Sequence, residues 1–232
     1  MKLIFVHGSG NTAQVWHYQI AHFPDTDAVN LPGHLTPDEP CTSVEDYADW
    51  LHSYILGHKY SDPVLVGHSL GSAICQVYAL AYPKDVRALV LTGAGARLRV
   101  APEFLSLMRD GIKDPSGWLK NFIEPRYSRV AIEVREKVIA RIAQVGPAVQ
   151  LNDFICCDKF DIMDKIDKIK VPTLVICGSE DEMTPPKYAS YLATKIKGAK
   201  LALINGGTHL VFAEKPQAVN QAIEQFLATM SC

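Results

Sequence analysis

The sequence contains no long apolar run and no excess of charge of either sign. Its 232 residues include 23 lysines and arginines and 25 aspartates and glutamates, so the formal net charge is −2. Nucleic-acid binders carry basic patches that neutralise phosphates, and this chain has no block of basic residues. A membrane-spanning helix needs roughly 18 consecutive apolar residues, and no segment approaches that length. We therefore expect neither a nucleic acid nor a membrane as partner, and a small molecule becomes the expected ligand.

Metal-binding and disulfide spacings are also missing. None of the six cysteines forms a CxxC pair, and none of the eight histidines belongs to an HExxH or HxH arrangement. The sequence therefore predicts no metal site, and the cysteines, Cys232 included, are expected to be reduced thiols. The first residues are too few for a secretory signal and lead into His7-Gly8 instead of a cleavage site. These features favour a cytoplasmic protein.

Short apolar segments alternate with longer amphipathic ones along most of the chain. This alternation is typical of a parallel sheet covered by helices, and continuously apolar segments such as Val64-Leu65-Val66 suit strands buried on both faces. Ser43 precedes one helix with a capping pattern. The predicted strands are 3–6, 27–31, 63–66, 86–92, 173–177 and 200–204, and further predicted helices are 70–82, 186–196 and 216–227.

Residues 95–168 interrupt this alternation, because they contain helical patterns and no convincing strand. Four prolines divide the segment into about four short helices. About 70 residues between two strands are far more than an ordinary crossover needs, so we expect a helical lid above the sheet. The predicted organisation is a core domain of residues 1–94 and 169–232 with a lid insertion of residues 95–168.

A serine framed by glycines follows the third predicted strand. The segment Gly67-His68-Ser69-Leu70-Gly71 fits the pattern GxSxG and lies between a strand and a helix, which is the context that gives the pattern its meaning. The glycines permit a sharp turn that exposes the Ser69 hydroxyl. The helix that begins at Leu70 directs unpaired N–H groups towards an oxyanion formed beside Ser69. Ser69 is therefore the candidate nucleophile.

A serine hydroxyl needs a base to take its proton, and the base needs a carboxylate to fix its tautomer. His209 follows the last predicted strand in a loop with two glycines and is the candidate base. Asp181 is the candidate carboxylate, because its short side chain lies in a Gly-to-Pro turn after the fifth strand. The flanking Glu180 and Glu182 are expected to face solvent.

The loop after the first strand, residues 7–11, can supply a second donor for the oxyanion. Backbone N–H groups in such a loop converge with the N–H that follows the nucleophile. We predict that the N–H groups of Ser9 and Leu70 form the oxyanion hole, with the Gly10 N–H as the alternative to Ser9.

The remaining histidines have weaker claims to catalysis. His7 is expected to make a structural hydrogen bond to a loop, and His68 cannot readily reach the hydroxyl of its own neighbour. The others are expected at the surface: His17, His22, His34, His52 and His58.

Candidate substrate contacts are fewer and less specific. Gly8 lies in the loop after the first strand, and Trp118 and Phe154 can contribute to an apolar wall from the insertion. Arg97, or its neighbour Arg99, can hold a substrate carboxylate with a bidentate fork. A salt bridge that anchors the lid is the alternative for both arginines.

The order nucleophile, acid, histidine on successive strand ends resembles the α/β-hydrolase superfamily. Beyond GxSxG, the segment Asn30-Leu31-Pro32-Gly33-His34 is similar to the DLPGHG motif, residues 171–178 to VPTLVIxG, and residues 209–216 to GHxxxxExP. The resemblance covers nearly the whole chain and implies an α/β-hydrolase fold with a Ser-His-Asp triad. Members commonly begin with a two-strand hairpin that is missing here, so we expect a short, mostly parallel sheet of about six strands.

The strand order of that superfamily makes residues 27–31 an open sheet edge. Exposed edges favour pairing with another chain, so proteins usually cover them. We expect a loop or a second copy of the chain to shield this edge, the latter making a homo-oligomer.

The resemblance implies hydrolysis of a carboxylic ester with a small or medium acyl group through an acyl-enzyme, as in a carboxylesterase, with no cofactor. Haloalkane dehalogenases and epoxide hydrolases of the superfamily use an aspartate nucleophile, so Ser69 argues against both. C–C bond hydrolases, lactonases, thioesterases, cofactor-free haloperoxidases and acyltransferases share the triad and stay open. A small-molecule receptor that keeps the triad and signals through its lid is an alternative from another class.

Overall fold

Six parallel strands form one open sheet in the computed structural model, which describes residues 1–230. The strand order is β2-β1-β3-β4-β5-β6, and every neighbouring pair is parallel. This confirms the predicted short parallel sheet of about six strands. The strands are β1 (Leu3–Val6), β2 (Thr26–Val29), β3 (Val64–His68), β4 (Ala88–Thr92), β5 (Thr173–Gly178) and β6 (Lys200–Ile204).

The four central strands are buried along their whole length, as their continuously apolar sequences predict. Successive side chains of a strand point to opposite faces, so each strand contributes to both layers of the core. In β1, Ile4 and Val6 pack into one layer and Leu3 and Phe5 into the other. The sheet therefore separates two apolar layers that require helices on both sides.

Helices cover the two faces in two groups. One face packs against α2 (Val44–Gly57), α3 (Leu70–Ala81) and α8 (Pro186–Lys195), and the other against α1 (His17–His22), α9 (Val211–Glu214) and α10 (Pro216–Ala228). The Ser43 hydroxyl accepts the Asp46 N–H at 3.0 Å at the start of α2, which confirms the predicted cap.

The segment between β4 and β5 consists of helices and loops. It contains α4 (Pro102–Lys113), α5 (Pro115–Trp118), one turn of π-helix (Leu119–Ile123), α6 (Glu124–Arg126) and α7 (Ile132–Lys159). Three prolines lie in the first turns of α4, α5 and α6, where a missing N–H costs little. Pro147 begins the second part of α7 after a break at Gly146, whose φ of 84° and ψ of 166° are not helical, as the prolines predict.

The two edge strands differ in how they are covered. In β2, the Asp27 carboxylate accepts hydrogen bonds from the hydroxyls of Tyr54 at 2.8 Å and Tyr60 at 3.0 Å. Tyr60 belongs to the loop after α2, so side chains of this helix and loop contact the edge that was expected to be open. In β6, Leu201 and Leu203 are exposed. The apolar exposure therefore lies at the opposite edge.

Three findings concern the whole described part of the chain. No helix within residues 1–230 is long and apolar enough to cross a membrane. The same residues contain no group of three His, Cys, Asp or Glu side chains placed to hold a metal ion. Their cysteines (Cys41, Cys75, Cys156, Cys157 and Cys177) are free thiols, which agrees with the prediction, and Cys232 lies outside the described residues.

Candidate active site

Ser69 occupies a strained turn between β3 and α3. Its backbone has φ 53° and ψ −117°, a combination that side-chain-bearing residues rarely adopt and that is concentrated at functional sites. A Cβ at Gly67 would collide with the backbone of Gly71, and one at Gly71 with the carbonyl of Val6. Both glycines of GxSxG are therefore required by close backbone contacts.

Hydrogen bonds hold this turn in place. The Ser69 N–H donates to the Thr92 carbonyl at 3.0 Å, which ties the turn to the end of β4. The Ser69 carbonyl accepts the Ser72 hydroxyl at 2.6 Å and the Ala73 N–H at 3.2 Å. Because its backbone is fixed on both sides, the strained conformation is maintained and the hydroxyl stays at the cavity.

His209 and Asp181 form a close pair. The Nδ1 of His209 lies 2.9 Å from Oδ2 of Asp181. A carboxylate only accepts, so Nδ1 carries the proton and the lone pair of neutral His209 lies on Nε2. The Asp181 side chain is 1% exposed and the His209 side chain 13% exposed. The sequence prediction of an acid and a base at these positions is matched by direct contact.

Thr184 also orients the Asp181 carboxylate. Its hydroxyl donates to Oδ2 at 2.8 Å, its backbone N–H donates to Oδ1 at 2.8 Å, and the Met183 N–H donates to Oδ1 at 2.9 Å. Burial tends to raise the pKa of Asp181, but the charge of His209 and these hydrogen bonds outweigh burial and lower it. Asp181 therefore stays an anion beside His209.

His68 is hydrogen-bonded to the backbone of His209. Its Nε2 donates to the carbonyl oxygen of His209 at 3.0 Å, and the ring is buried. Burial, followed by the nearby His209, lowers the pKa of His68 well below the usual value, so this ring is neutral. His68 therefore holds the backbone of the His209 loop and does not compete for protons.

The loop after β1, residues 7–11, is held by its own histidine. The Leu31 N–H donates to Nε2 of His7 at 3.1 Å, so the proton of the neutral ring lies on Nδ1, which donates to the Gly8 carbonyl at 2.9 Å. Burial lowers the pKa of His7 well below its usual value. The predicted structural hydrogen bond of His7 is confirmed.

The N–H groups considered as oxyanion donors differ in whether another group of the chain already accepts them. Within residues 1–230, no protein group accepts the N–H of Ser9 or of Leu70. The Gly10 N–H, by contrast, donates to Oδ2 of Asp153 at 2.8 Å. The alternative placed on Gly10 is therefore wrong, because its donor is already used.

One large cavity of about 1080 Å³ joins these groups. Ser69, Asp181, His209 and Ser9 all line it. No hydrogen bond within the described chain joins the Ser69 hydroxyl to the His209 ring, and such bonds are commonly long before substrate binds. The residues of the insertion that line the cavity include Phe104, Phe122 and Phe154, which give it an apolar wall.

Three of the four predicted substrate contacts do not line this cavity. Arg97 pairs with Asp161 across 3.8 Å, as the salt-bridge alternative has it, whereas its neighbour Arg99 pairs with Asp161 at 3.6 Å and also lines the cavity. The indole Nε1 of Trp118 donates to Gln150 at 2.9 Å inside the insertion. Gly8 does not line the cavity and lies beside His68 and Ser69. Phe154 is the one that lines the cavity.

A guanidinium without an acidic partner also lines the cavity. Arg126 lies over the Phe122 ring, 3.5 Å from its centroid, and donates to the Phe122 carbonyl at 2.6 Å. Burial lowers its pKa. Within residues 1–230 no carboxylate lies within 4.0 Å of it, whereas Arg129 pairs with Glu180 at 2.7 Å.

His34 is not at the surface as predicted, but fully buried. Its Nε2 lies 2.9 Å from Oδ2 of Asp153, and neither side chain is exposed to solvent. Asp153 lies on α7, 119 residues further along the chain, and no local pattern marks it as the partner of a histidine. Gln150 and Thr184 are further site residues that sequence reasoning missed, since their role depends on contacts between distant segments.

Comparison with known proteins supports the fold. Residues 3–222 match the model of the alpha/beta hydrolase family. The pimeloyl-[acyl-carrier protein] methyl ester esterase of Neisseria meningitidis serogroup A is 26% identical over 97% of this chain and 76% of its own length. The (E)-2-((N-methylformamido)methylene)succinate hydrolase of Acinetobacter baylyi is 26% identical over 98% of this chain and 90% of its own length.

Solved structures agree with this result. A thermophilic esterase superposes with a TM-score of 0.81 at 35% identity, covering 98% of this chain and 89% of the other. An esterase from Exiguobacterium antarcticum gives 0.88 at 19% identity, covering 98% and 92%, and this likeness concerns the fold alone. The chain belongs to the alpha/beta hydrolase family.

Proposed function

We propose that this protein is a serine hydrolase that cleaves a carboxylic ester with a small or medium acyl group. The observation that carries the proposal is the His209–Asp181 pair at 2.9 Å on the same cavity as the strained Ser69. A polar loop without chemical function does not explain a strained serine on the same cavity as a histidine whose tautomer is fixed by a buried carboxylate. The relatives described above are esterases and hydrolases, which agrees with this reaction class.

The reaction starts when the Ser69 hydroxyl attacks the ester carbonyl. Nε2 of His209 takes the hydroxyl proton, and Asp181 stabilises the imidazolium that results. The negative charge on the former carbonyl oxygen is stabilised by the Leu70 and Ser9 N–H groups. When the tetrahedral intermediate collapses, His209 returns the proton to the leaving alkoxide, and the acyl group stays on Ser69.

Water then completes the cycle. It enters as the alcohol leaves, His209 takes a proton from it, and the resulting hydroxide attacks the acyl-enzyme through a second oxyanion in the same hole. His209 gives that proton to Ser69 as the acid product leaves. Every proton transfer in this route is made by groups of the chain and water.

The cavity supports the proposed substrate class. Phe104, Phe122 and Phe154 belong to residues 95–168, for which we propose the role of a lid over the acyl site. An apolar wall of this size suits an acyl chain, and the Arg126 guanidinium over Phe122 offers a positive charge at its side. Two relatives act, by their names, on a pimeloyl-[acyl-carrier protein] methyl ester and on a substituted succinate.

A fluorophosphonate probe, which phosphonylates activated serines, tests the proposal. We expect one label per chain, on the peptide that contains Ser69, and none in the Ser69→Ala variant. Ser128, which lies on the same cavity with its hydroxyl donating to Pro125, provides the control, because Ser128→Ala should be labelled like the wild type. Labelling that survives in Ser69→Ala would remove Ser69 from the mechanism.

A panel of p-nitrophenyl esters, lactones and thioesters with the wild-type chain then decides the bond that is cleaved. Steady turnover of short and medium esters supports the proposal. Preference for lactones would replace the ester by a cyclic substrate. A single slow turnover, together with a partner that binds only when ligand is present, would favour the receptor alternative.

A further inference from the structure

The second half of α7 packs directly against the loop that supplies one oxyanion donor. Three of its side chains, Gln150, Asp153 and Cys157, contact the Ser9–Gly10 segment. Their spacing of three and four residues places them on one face of a helix. This part of the insertion therefore presents a continuous stripe to the oxyanion loop, here defined as residues 7–11.

Asp153 has the most contacts of the three. Its Oδ2 accepts the Gly10 N–H at 2.8 Å and lies 2.9 Å from Nε2 of His34, and its Oδ1 accepts the Tyr47 hydroxyl at 3.0 Å. Asp153, His34 and Tyr47 are fully buried. A buried carboxylate is stable only when it is paired and hydrogen-bonded, and here both oxygens have partners.

The hydrogen-bond pattern shows which partner carries the compensating charge. Nδ1 of His34 lies 3.0 Å from the Pro32 carbonyl, which only accepts, so this nitrogen must donate. Nε2 lies against Oδ2 of Asp153, and because an ionised carboxylate only accepts, this nitrogen donates as well when Asp153 is ionised. A ring that donates from both nitrogens is an imidazolium, and His34 and Asp153 form a buried ion pair.

Hydrogen bonds, one of them to Asp153, fix the orientation of two consecutive peptides in the oxyanion loop. In a trans peptide the N–H and C=O point in opposite directions. The Gly8 carbonyl accepts from the Asn11 N–H at 3.1 Å, which turns the Ser9 N–H the other way. The next peptide is held at its N–H by Asp153 and at its carbonyl by Gln150 at 3.5 Å.

The freedom of Gly10 explains why such a clamp is needed. Its φ of +67° lies in the left-handed region, and a glycine there rotates with little resistance. Without a fixed acceptor for its N–H, the Ser9–Gly10 peptide can turn, and the backbone of Ser9, whose own N–H belongs to the preceding peptide, is no longer held on that side. A catalytic donor that must be aligned before the oxyanion forms loses its effect when it moves by about 1 Å.

We propose that Asp153 is a positioning residue of the oxyanion hole: from the insertion, it accepts the Gly10 N–H and so keeps the Ser9 N–H aimed at the substrate carbonyl. The inference rests on the proposed function of Ser69. It assigns a catalytic consequence to residues 147–159, which contribute Phe154 to the cavity wall and also hold the loop behind it.

Two substitutions of Asp153 test this role in the full-length chain. Asp153→Leu removes the acceptor, whereas Asp153→Asn keeps one oxygen for the Gly10 N–H. With a short p-nitrophenyl ester, we expect kcat to fall about 100-fold in Asp153→Leu and by less in Asp153→Asn, with KM within about twofold of the wild type. Affinity for a trifluoromethyl ketone, which adds to a serine and forms an oxyanion, should fall in parallel with kcat.

Asn152→Ala is the matched control. Asn152 precedes Asp153 on α7 and also fastens this helix to the core, through a hydrogen bond from Nδ2 to the Cys41 carbonyl at 2.8 Å. It makes no hydrogen bond to the oxyanion loop within residues 1–230. If positioning is specific to Asp153, Asn152→Ala keeps the kcat of the wild type. Circular dichroism and melting curves establish that each variant is folded.

Two results would overturn the inference. One is a folded Asp153 variant with unchanged kcat; should Asp153→Leu fail to fold, Asp153→Asn alone decides this. The other is an equal loss of kcat in Asn152→Ala, which would show general loosening of the insertion. Failure of the proposed function looks different, because the wild-type chain would then hydrolyse no ester and Ser69 would take up no fluorophosphonate; that result would remove both.

Discussion

The molecule contains two histidine–aspartate pairs with the same 2.9 Å separation and different surroundings. His209 reaches Asp181 through Nδ1, and its side chain is 13% exposed at the cavity. His34 reaches Asp153 through Nε2, and both side chains are inaccessible to solvent. Equal geometry of the pair therefore does not decide its role.

The second nitrogen of each ring makes the difference. In His209, Nε2 has no hydrogen-bond partner in the described chain and faces the cavity that Ser69 lines, so it can take and return a proton. In His34, the second nitrogen donates to the Pro32 carbonyl, and the ring does not line the cavity. We propose that the first pair transfers protons, whereas the second holds two segments of backbone together.

Replacing each histidine by leucine separates the two roles most strongly. His209→Leu removes the proposed base, so we expect kcat for a p-nitrophenyl ester to fall roughly a million-fold while the melting temperature changes little. Stopped-assay turnover and thermal unfolding measure the two effects. A His209→Leu variant with more than a tenth of the wild-type kcat would contradict the assignment.

His34→Leu is expected to give the reverse result. It leaves the Asp153 carboxylate buried without a compensating charge, and breaking a buried ion pair costs about 3–5 kcal/mol of folding stability. The loss of kcat per folded molecule should be far smaller than in His209→Leu. Urea unfolding followed by tryptophan fluorescence gives the stability, and an unchanged midpoint would show that the pair contributes nothing to folding.

The pH dependence of that stability loss sharpens the comparison. Burial disfavours the charged His34 ring, but the Asp153 carboxylate and the Pro32 carbonyl outweigh burial and raise the pKa of His34 above 6.5. The stabilisation is then complete below pH 6.5 and is lost as pH rises through the raised pKa. The stability difference between wild type and His34→Leu should therefore shrink at alkaline pH.

Two other histidines make this difference measurement necessary. Burial lowers the pKa values of His7 and His68, so each reduces stability as pH falls below 6.5. Both histidines are present in the wild type and in His34→Leu, but the His34 charge itself contributes to the lowered pKa of His7. The two curves are therefore compared above pH 6.5, where His7 and His68 are neutral in both proteins. A difference that stays constant from pH 7 to pH 10 would contradict a charged His34.

Thr184→Val tests the surroundings of the His209–Asp181 pair by removing a single hydroxyl group. The substitution removes the hydroxyl that donates to Oδ2 of Asp181 at 2.8 Å and leaves the backbone donor to Oδ1. A hydrogen bond to a charged group contributes about 1.5–3 kcal/mol, so we expect kcat to fall about tenfold. Unchanged kcat would show that His209 and the backbone donors to Oδ1 are sufficient to orient Asp181.

Most of the sheet and the candidate triad could be predicted from sequence because their signals are local. The strands read as continuous apolar segments, and the strained turn at Ser69 needs Gly67 and Gly71 within five residues of chain. Parallel topology then brings the ends of β3, β5 and β6 to one edge. Asp181 and His209 could be assigned from the loops that follow the last two strands.

The ion pair of His34 and Asp153 could not be predicted in this way. Asp153 lies in a helix whose acidic residues look alike in sequence, and its partners come from β2's following loop, from α2 and from the loop after β1. The position of Trp118 could not be predicted for the same reason. Its aromatic ring suggests a substrate contact, whereas its indole N–H donates a hydrogen bond to Gln150. These roles arise from packing of the insertion against the core.

The most direct test of the account is the turnover of p-nitrophenyl acetate by wild type and Ser69→Ala, measured at equal concentrations of folded protein. We expect turnover in the wild type and a fall of up to roughly a million-fold in the variant. The residual rate would come from the oxyanion hole and from binding of the substrate. An unchanged rate in Ser69→Ala would contradict it.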